Sequence, residues 1–106
     1  MIVLYSMWPS AETALSAART LVEERLVACG HVTPLGTSVY AWDGQVHVEP
    51  EVVLWLKTDS ALAEATTARL VAMHPYELPC VLAVPVAEGG THPAYAAWVR
   101  QSVRQV

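Results

Sequence analysis

Charge is scarce in this chain. Only 15% of its 106 residues are Asp, Glu, Lys or Arg, against about 25% in an average domain. The six basic residues, Arg19, Arg25, Lys57, Arg69, Arg100 and Arg104, are scattered, and the formal net charge is -4. A nucleic-acid binder needs a basic footprint that releases phosphate counterions. An anionic membrane surface asks for the same. Neither partner is expected. Cysteine is nearly missing too: Cys29 and Cys80 are the only two. Two thiols in an apolar chain fit a reducing compartment, not a disulfide scaffold. No apolar run approaches the roughly 20 residues of a membrane helix. The start, "MIVLYSMWPSAET", has no basic region before its short apolar run. It therefore reads as a strand and not a signal peptide, and the cytoplasm is the expected compartment. A phosphate loop is lacking as well, since Gly89-Gly90 has neither the spacing nor the lysine. No paired carboxylates stand at a catalytic spacing. Cys29 with His31 is the one short nucleophile-and-base candidate, so no enzyme is expected.

Apolar side chains are what the chain has in excess, at 54% of residues. Its length suits a single domain over residues 1–106, and a domain this small buries a limited share of its surface. The surplus either overfills one core or forms a surface that partners cover. The second is favoured, because large exposed apolar patches usually mark interfaces.

"MIVLYSM" reads as a buried first strand closed by Trp8-Pro9. Ser10 is placed to cap a helix, with Glu12 in its first turn. Ala11, Leu15, Ala18, Val22 and Leu26 recur at steps of three and four, predicting an amphipathic helix from about Ala11 to Ala28. Gly30, Pro34 and Gly36 interrupt "CGHVTPLGTSVYAW", predicting a bent or bulged strand. Asp43-Gly44 predicts a hairpin turn. Its arms, Val32–Trp42 and Gln45–Thr58, outrun the usual ~5–6 residues of a strand, and Pro50 marks an edge or bulge. So long a hairpin reaches past its own core, which predicts pairing with neighbouring subunits. Thr58, Asp59 and Ser60 start a second helix that sets Leu62, Ala65, Leu70 and Met73 in one arc. "LPCVLAVPVAEGG" predicts a further buried strand. Pro93 opens a last helix, with Tyr95, Trp98 and Val99 facing inward, before the tail Arg100–Val106. Trp8, Trp55 and Trp98 are assigned to the core. The order gives an α+β, ferredoxin-like β-α-β-β-α-β sandwich with a long central hairpin and an added C-terminal helix.

Three stretches now stand in order: "EERLVACGHVTPLGTSVYAWDGQV" (Glu23–Val46), "LKT" (Leu56–Thr58) and "HPYELP" (His74–Pro79). Together they resemble the CutA family of divalent-cation tolerance proteins, over nearly the whole chain. The resemblance implies a cytoplasmic, PII-like homotrimer whose hairpins extend each sheet into the next subunit. It implies a part in tolerance of copper and other divalent metals, with weak metal binding. A divalent ion such as copper would be a ligand, not a requirement for folding.

His74 is the first metal candidate by that resemblance. The competing reading is a helix-end residue, turned out of the α region by Pro75 and suited to the negative helix terminus. Some family members have cysteine where Tyr5 stands and a second histidine where Met73 stands. These departures weaken a Cu(II) site, although Met73 suits Cu(I). Cys29 and His31, two apart on a strand, share one face and are weaker metal candidates. The plainer reading of Cys29 is a small buried thiol at a junction. Lys57, Tyr76 and Glu77 match family motif positions and are expected to line a ligand cleft between subunits, with Lys57 on the hairpin edge. They carry the alternative function, a PII-like signalling or scaffold protein that binds a small ligand or partner. Tyr40 and Trp42 share one face of the hairpin and are expected to anchor the trimer interface. His47 is expected on a solvent face with Gln45 and Glu49.

Overall fold

The computed structural model describes residues 1–105. Five strands form one antiparallel sheet: β1 (Ile2–Trp8), β2 (Cys29–Val32), β3 (Gly36–Trp42), β4 (Gln45–Thr58) and β5 (Val81–Pro85). Helices α1 (Ala11–Glu23), α2 (Ala63–Met73) and α3 (Pro93–Ser102) complete the ferredoxin-like α+β arrangement. β4 is the spine. Its second half lies between β1 and β2, with Tyr5 and His31 both opposite Trp55. Its first half pairs with β3 alone, from Glu51 opposite Gly36 to Gln45 opposite Trp42. The hairpin therefore projects from the body, and the molecule measures 45 × 28 × 23 Å.

The predicted bend in the first arm is the gap between β2 and β3. There Val53 N–H donates to the Thr33 hydroxyl at 2.9 Å, in place of a ladder carbonyl. Pro50 sits where β4 has one neighbour, so its missing N–H falls on an open edge. At the tip, Asp43 and Gly44 both take positive φ, 53° and 76°. This is the backbone of a type I′ turn, which matches strand twist.

Leu4, Ser6 and Trp8 of β1 and Val52, Leu54, Leu56 and Thr58 of β4 face the helices and are buried. The stripe of α1 that meets them is Ala14, Ala17, Ala18 and Leu21. Leu15 and Val22, expected inward, are exposed. Alanine lets the helix approach closely: a Cβ built on Gly30 would lie 3.0 Å from Leu56 Cδ2 and 3.1 Å from Ala18 Cβ. Ser10 caps α1, its hydroxyl accepting from Thr13 N–H at 3.2 Å. Ser10→Ala should cost about 1 kcal/mol, within the usual 0.5–2 for a cap. Urea unfolding at fixed protein concentration measures it.

The first helix stops five residues before the expected Ala28. Arg25 takes a left-handed φ of 58°. Leu26 N–H donates to Leu21 O and Arg25 N–H to Val22 O, both at 3.0 Å. This is a Schellman stop built without glycine. Arg25 is held there because its guanidinium donates to the carbonyls of Gln101, Ser102 and Val103 at the end of α3. Beyond the stop, Leu26 O accepts from the buried hydroxyls of Thr58 and Thr66.

Four further expectations change. The strand β5 is an edge and not a buried strand: Leu82 and Val84 lie opposite Tyr5 and Val3, on the sheet face turned away from the helices, and are exposed. On α3 only Val99 of the predicted inward trio is buried, while Tyr95 and Trp98 are exposed. Trp8 is the one tryptophan in the core; Trp55 is half-buried on the second sheet face. On α2 the buried side chains are Leu62 just before it, Thr66 and Leu70, whereas Ala65 is exposed. Val106, the last residue of the predicted tail, lies outside the described residues.

Candidate functional site

Helix α2 ends at Met73, which packs partly buried against the core. Pro75 forces His74 out of the α region, to ψ 136°. The turn swings the imidazole under β1, where it is buried and lies 4.1 Å from the Trp8 ring. Its Nε2 is 2.7 Å from Met7 O, and its Nδ1 accepts from Tyr76 N–H at 3.1 Å. A carbonyl can only accept, so Nε2 carries the proton. Both ring nitrogens are thus committed to backbone groups.

The His74 turn delivers Tyr76 to a groove of about 690 Å³ beneath the hairpin. That volume falls within the range of small-molecule sites. Tyr5, Tyr40, Trp42 and Tyr76 give it four aromatic side chains, and Glu51 and Glu77 give it two carboxyl groups. Glu51 is 9% exposed and accepts from the Tyr76 hydroxyl at 2.9 Å. Burial first, then Glu51, pushes the Tyr76 phenol up to about 12. Cys80, also on the wall, has its thiol pushed up by burial and by Glu51. Tyr40 stacks on His47 with centroids 5.3 Å apart, so His47 is half-covered, not fully wet.

Of the predicted cleft residues, the structure brings Tyr76 and Glu77 together with Tyr40 and Trp42. It does not bring Lys57 to them within the subunit. Lys57 is not on the hairpin edge but mid-sheet, between Val3 and Cys29. It lies six residues from Glu51, roughly 20 Å along a strand. Glu51 stands in its place. The sequence sign of this was a carboxylate in phase with Val53 and Trp55, on the face opposite Leu54 and Leu56. Cys29 and His31 do share a face, as expected, alongside Lys57 and Trp55. The Cys29 thiol meets the Tyr95 hydroxyl at 3.4 Å. That hydrogen bond, then burial, pushes the Tyr95 phenol up to about 12. Tyr5 donates to Met7 Sδ at 3.1 Å and meets Trp55 edge-on at 5.0 Å.

A family model described as CutA1 divalent ion tolerance protein matches residues 2–102. The chain belongs to the CutA1 family. The divalent-cation tolerance protein CutA of Thermus thermophilus is 40% identical over 94 residues, 89% of either chain. Human protein CutA is 42% identical over 98 residues, 92% of this chain. The chain spans about half of that protein, 54%, and of its mouse counterpart. A crystalline point variant of CutA1 from Pyrococcus horikoshii superposes with TM-score 0.93 at 30% identity, over 99% of this chain and all of that one. A PII-like protein CutA from Nostoc does so with 0.91 at 32%, over 98% of each. The fold is thus that of CutA1 and PII-like proteins.

A CutA1 protein invites a test of its donor atoms against a divalent ion. His74 has no free lone pair in this conformation, because Nδ1 already accepts a backbone N–H. Cys29 and His31 find no third partner: among the described residues no three His, Cys, Asp or Glu side chains gather as a metal would require. The residues present do not form a metal centre within the subunit. Among the described residues no helix is long and apolar enough to cross a membrane.

Proposed function

We propose that this CutA1 protein is a cytoplasmic homotrimer that serves divalent-cation tolerance as a PII-like ligand-binding scaffold, and binds cations such as copper weakly. The observation that carries this is the groove at the hairpin base. It offers four aromatic side chains and a buried carboxyl group, while His74 is tied to backbone on both nitrogens. A second copy packed along the uncovered hairpin, on Tyr40 and Trp42, gives the groove its outer wall. Tyr76 and Glu77 belong to this cleft; Lys57 joins it only from a neighbouring subunit. No reaction is part of the proposal.

Calorimetric Cu(II) titration of the protein and of His74→Gln tests the division between scaffold and metal site. The expected result is weak binding that the substitution leaves unchanged, with stability lower by about 1–3 kcal/mol from unpaired buried polar groups. Saturable binding near one ion per subunit, abolished in His74→Gln, would restore His74 as the ligand and overturn the scaffold reading.

A further inference from the structure

Glu51 is an unusual residue to bury. It is more than nine-tenths covered, and a buried carboxylate is normally matched by a cation or several donors. It has one donor, the Tyr76 hydroxyl on Oε2. Among the described residues the ion pairs are Arg19–Glu23 and Arg69–Glu24, both elsewhere. Within the subunit no Lys, Arg or His among the described residues lines the groove, and Glu77 adds a second carboxyl group to its wall. Oε1 is not sealed off either, since no buried side-chain oxygen is left without a partner. Oε1 therefore keeps some exposure, and Glu51 lines the cavity.

The surrounding wall has a matching character. Aromatic faces carry the negative end of a quadrupole and attract cations, more strongly where the site is desolvated. Tyr5, Tyr40, Trp42 and Tyr76 contribute four such rings. A carboxylate floor with aromatic walls repels anions and favours a cationic donor over a neutral one. A bare metal ion asks for several oxygen or nitrogen ligands at once, which the rings do not provide.

We infer that the groove binds a small organic ammonium ion, its N–H donated to Glu51 Oε1 and its alkyl body set between Tyr40, Trp42 and Tyr76. This rests on the reading of the groove as a ligand cleft and names the chemical class of its ligand. The Tyr76 hydroxyl holds the carboxyl group in place, and Glu77 at the rim adds attraction without contact. Specificity comes from charge and from at least one N–H, because Oε1 is an acceptor.

The test uses the full chain, labelled with 15N, and three probes of one size: n-butylammonium, n-butanol and butyrate. The expected result is saturable shifts with butylammonium at the Trp42 indole and the Tyr76 amide. Glu51→Gln keeps the shape and an acceptor for Tyr76, so it should fold and keep its oligomeric mass. It should weaken butylammonium by about tenfold or more, as loss of a charge-assisted bond requires. Equal binding of butanol, or an unchanged affinity in Glu51→Gln, overturns the ammonium inference and leaves the ligand cleft standing. No saturable shift from any probe overturns the cleft as well. Loss of the oligomer in Glu51→Gln, with no probe bound to the native protein, assigns the carboxylate to a basic side chain of a second copy and overturns the inference.

Discussion

Trp8→Ala should lower stability by about 3–5 kcal/mol, the usual cost of emptying a large aromatic site in a core. Trp8 is 1% exposed and is the largest fully buried side chain. It fills the space where β1 meets the His74 turn, ring against ring at 4.1 Å. Its indole Nε1 donates to the Ser6 hydroxyl at 2.8 Å, and that hydroxyl donates onward to Leu54 O. Alanine empties the site, leaves Ser6 without a donor, and uncovers one face of His74. Trp8→Phe separates these effects. It keeps a ring in place and loses the hydrogen bond, so about 1–2 kcal/mol is expected from the orphaned polar group. Denaturant midpoints at one fixed protein concentration measure both, since an oligomer's apparent stability depends on concentration. A loss under about 1 kcal/mol for the alanine variant would show that the core collapses onto the vacated site, against the close packing assumed for protein interiors.

The elements with local causes were legible in the sequence. The strand β1 is a short apolar run stopped by Trp8-Pro9, the hairpin turn follows from Asp43-Gly44, and α3 starts at Pro93 after a His92 cap whose ring accepts from Tyr95 N–H. What failed had distant causes. "EERLVA" has good helix-formers, yet α1 ends within it because Arg25 is anchored to carbonyls some 76–78 positions away. Of the periodic set, Ala18 and Leu26 are buried while Leu15 and Val22 are exposed, because the sheet presses close at Gly30 and favours alanine where α1 crosses it. The exposure of Leu82, Val84 and Trp98 reflects sheet order and a second uncovered face, which no local pattern encodes. His74 was legible as a helix-end residue; its two backbone bonds were not, because their partners include Met7, 67 positions away. Glu51 is not legible as a buried carboxyl group, because a charge beside Pro50 looks like a solvated edge until Tyr76 is folded over it.

The hairpin carries the largest effect on assembly. Beyond Glu51, β3 and β4 pair only with each other among the described residues. A two-stranded ribbon is marginal alone. This one bears valine on one face, Val39, Val46 and Val48 being 68%, 73% and 63% exposed, and Tyr40 with Trp42 on the other. Val39 lies opposite Val48 and Ala41 opposite Val46, so these side chains form one continuous apolar patch. An open ribbon of this kind is normally covered or charged, and among the described residues its valine face is neither. Burying each valine contributes about 1.5–3 kcal/mol. The double variant Val46→Glu/Val48→Glu removes two such contributions per subunit and sets two carboxylates on that apolar face. On the proposed homotrimer it should reduce the mass seen by light scattering from three chains to one chain of 11.5 kDa, with the sheet and helices intact by circular dichroism. Tyr40→Ala/Trp42→Ala probes the other face in the same way. If the valine variant keeps three chains and the aromatic one does not, the covered face is that of Tyr40 and Trp42. If neither variant dissociates, the hairpin is not the principal contact. The association then rests on the second face of the sheet, where Val3, Tyr5, Trp55 and Leu82 stand side by side.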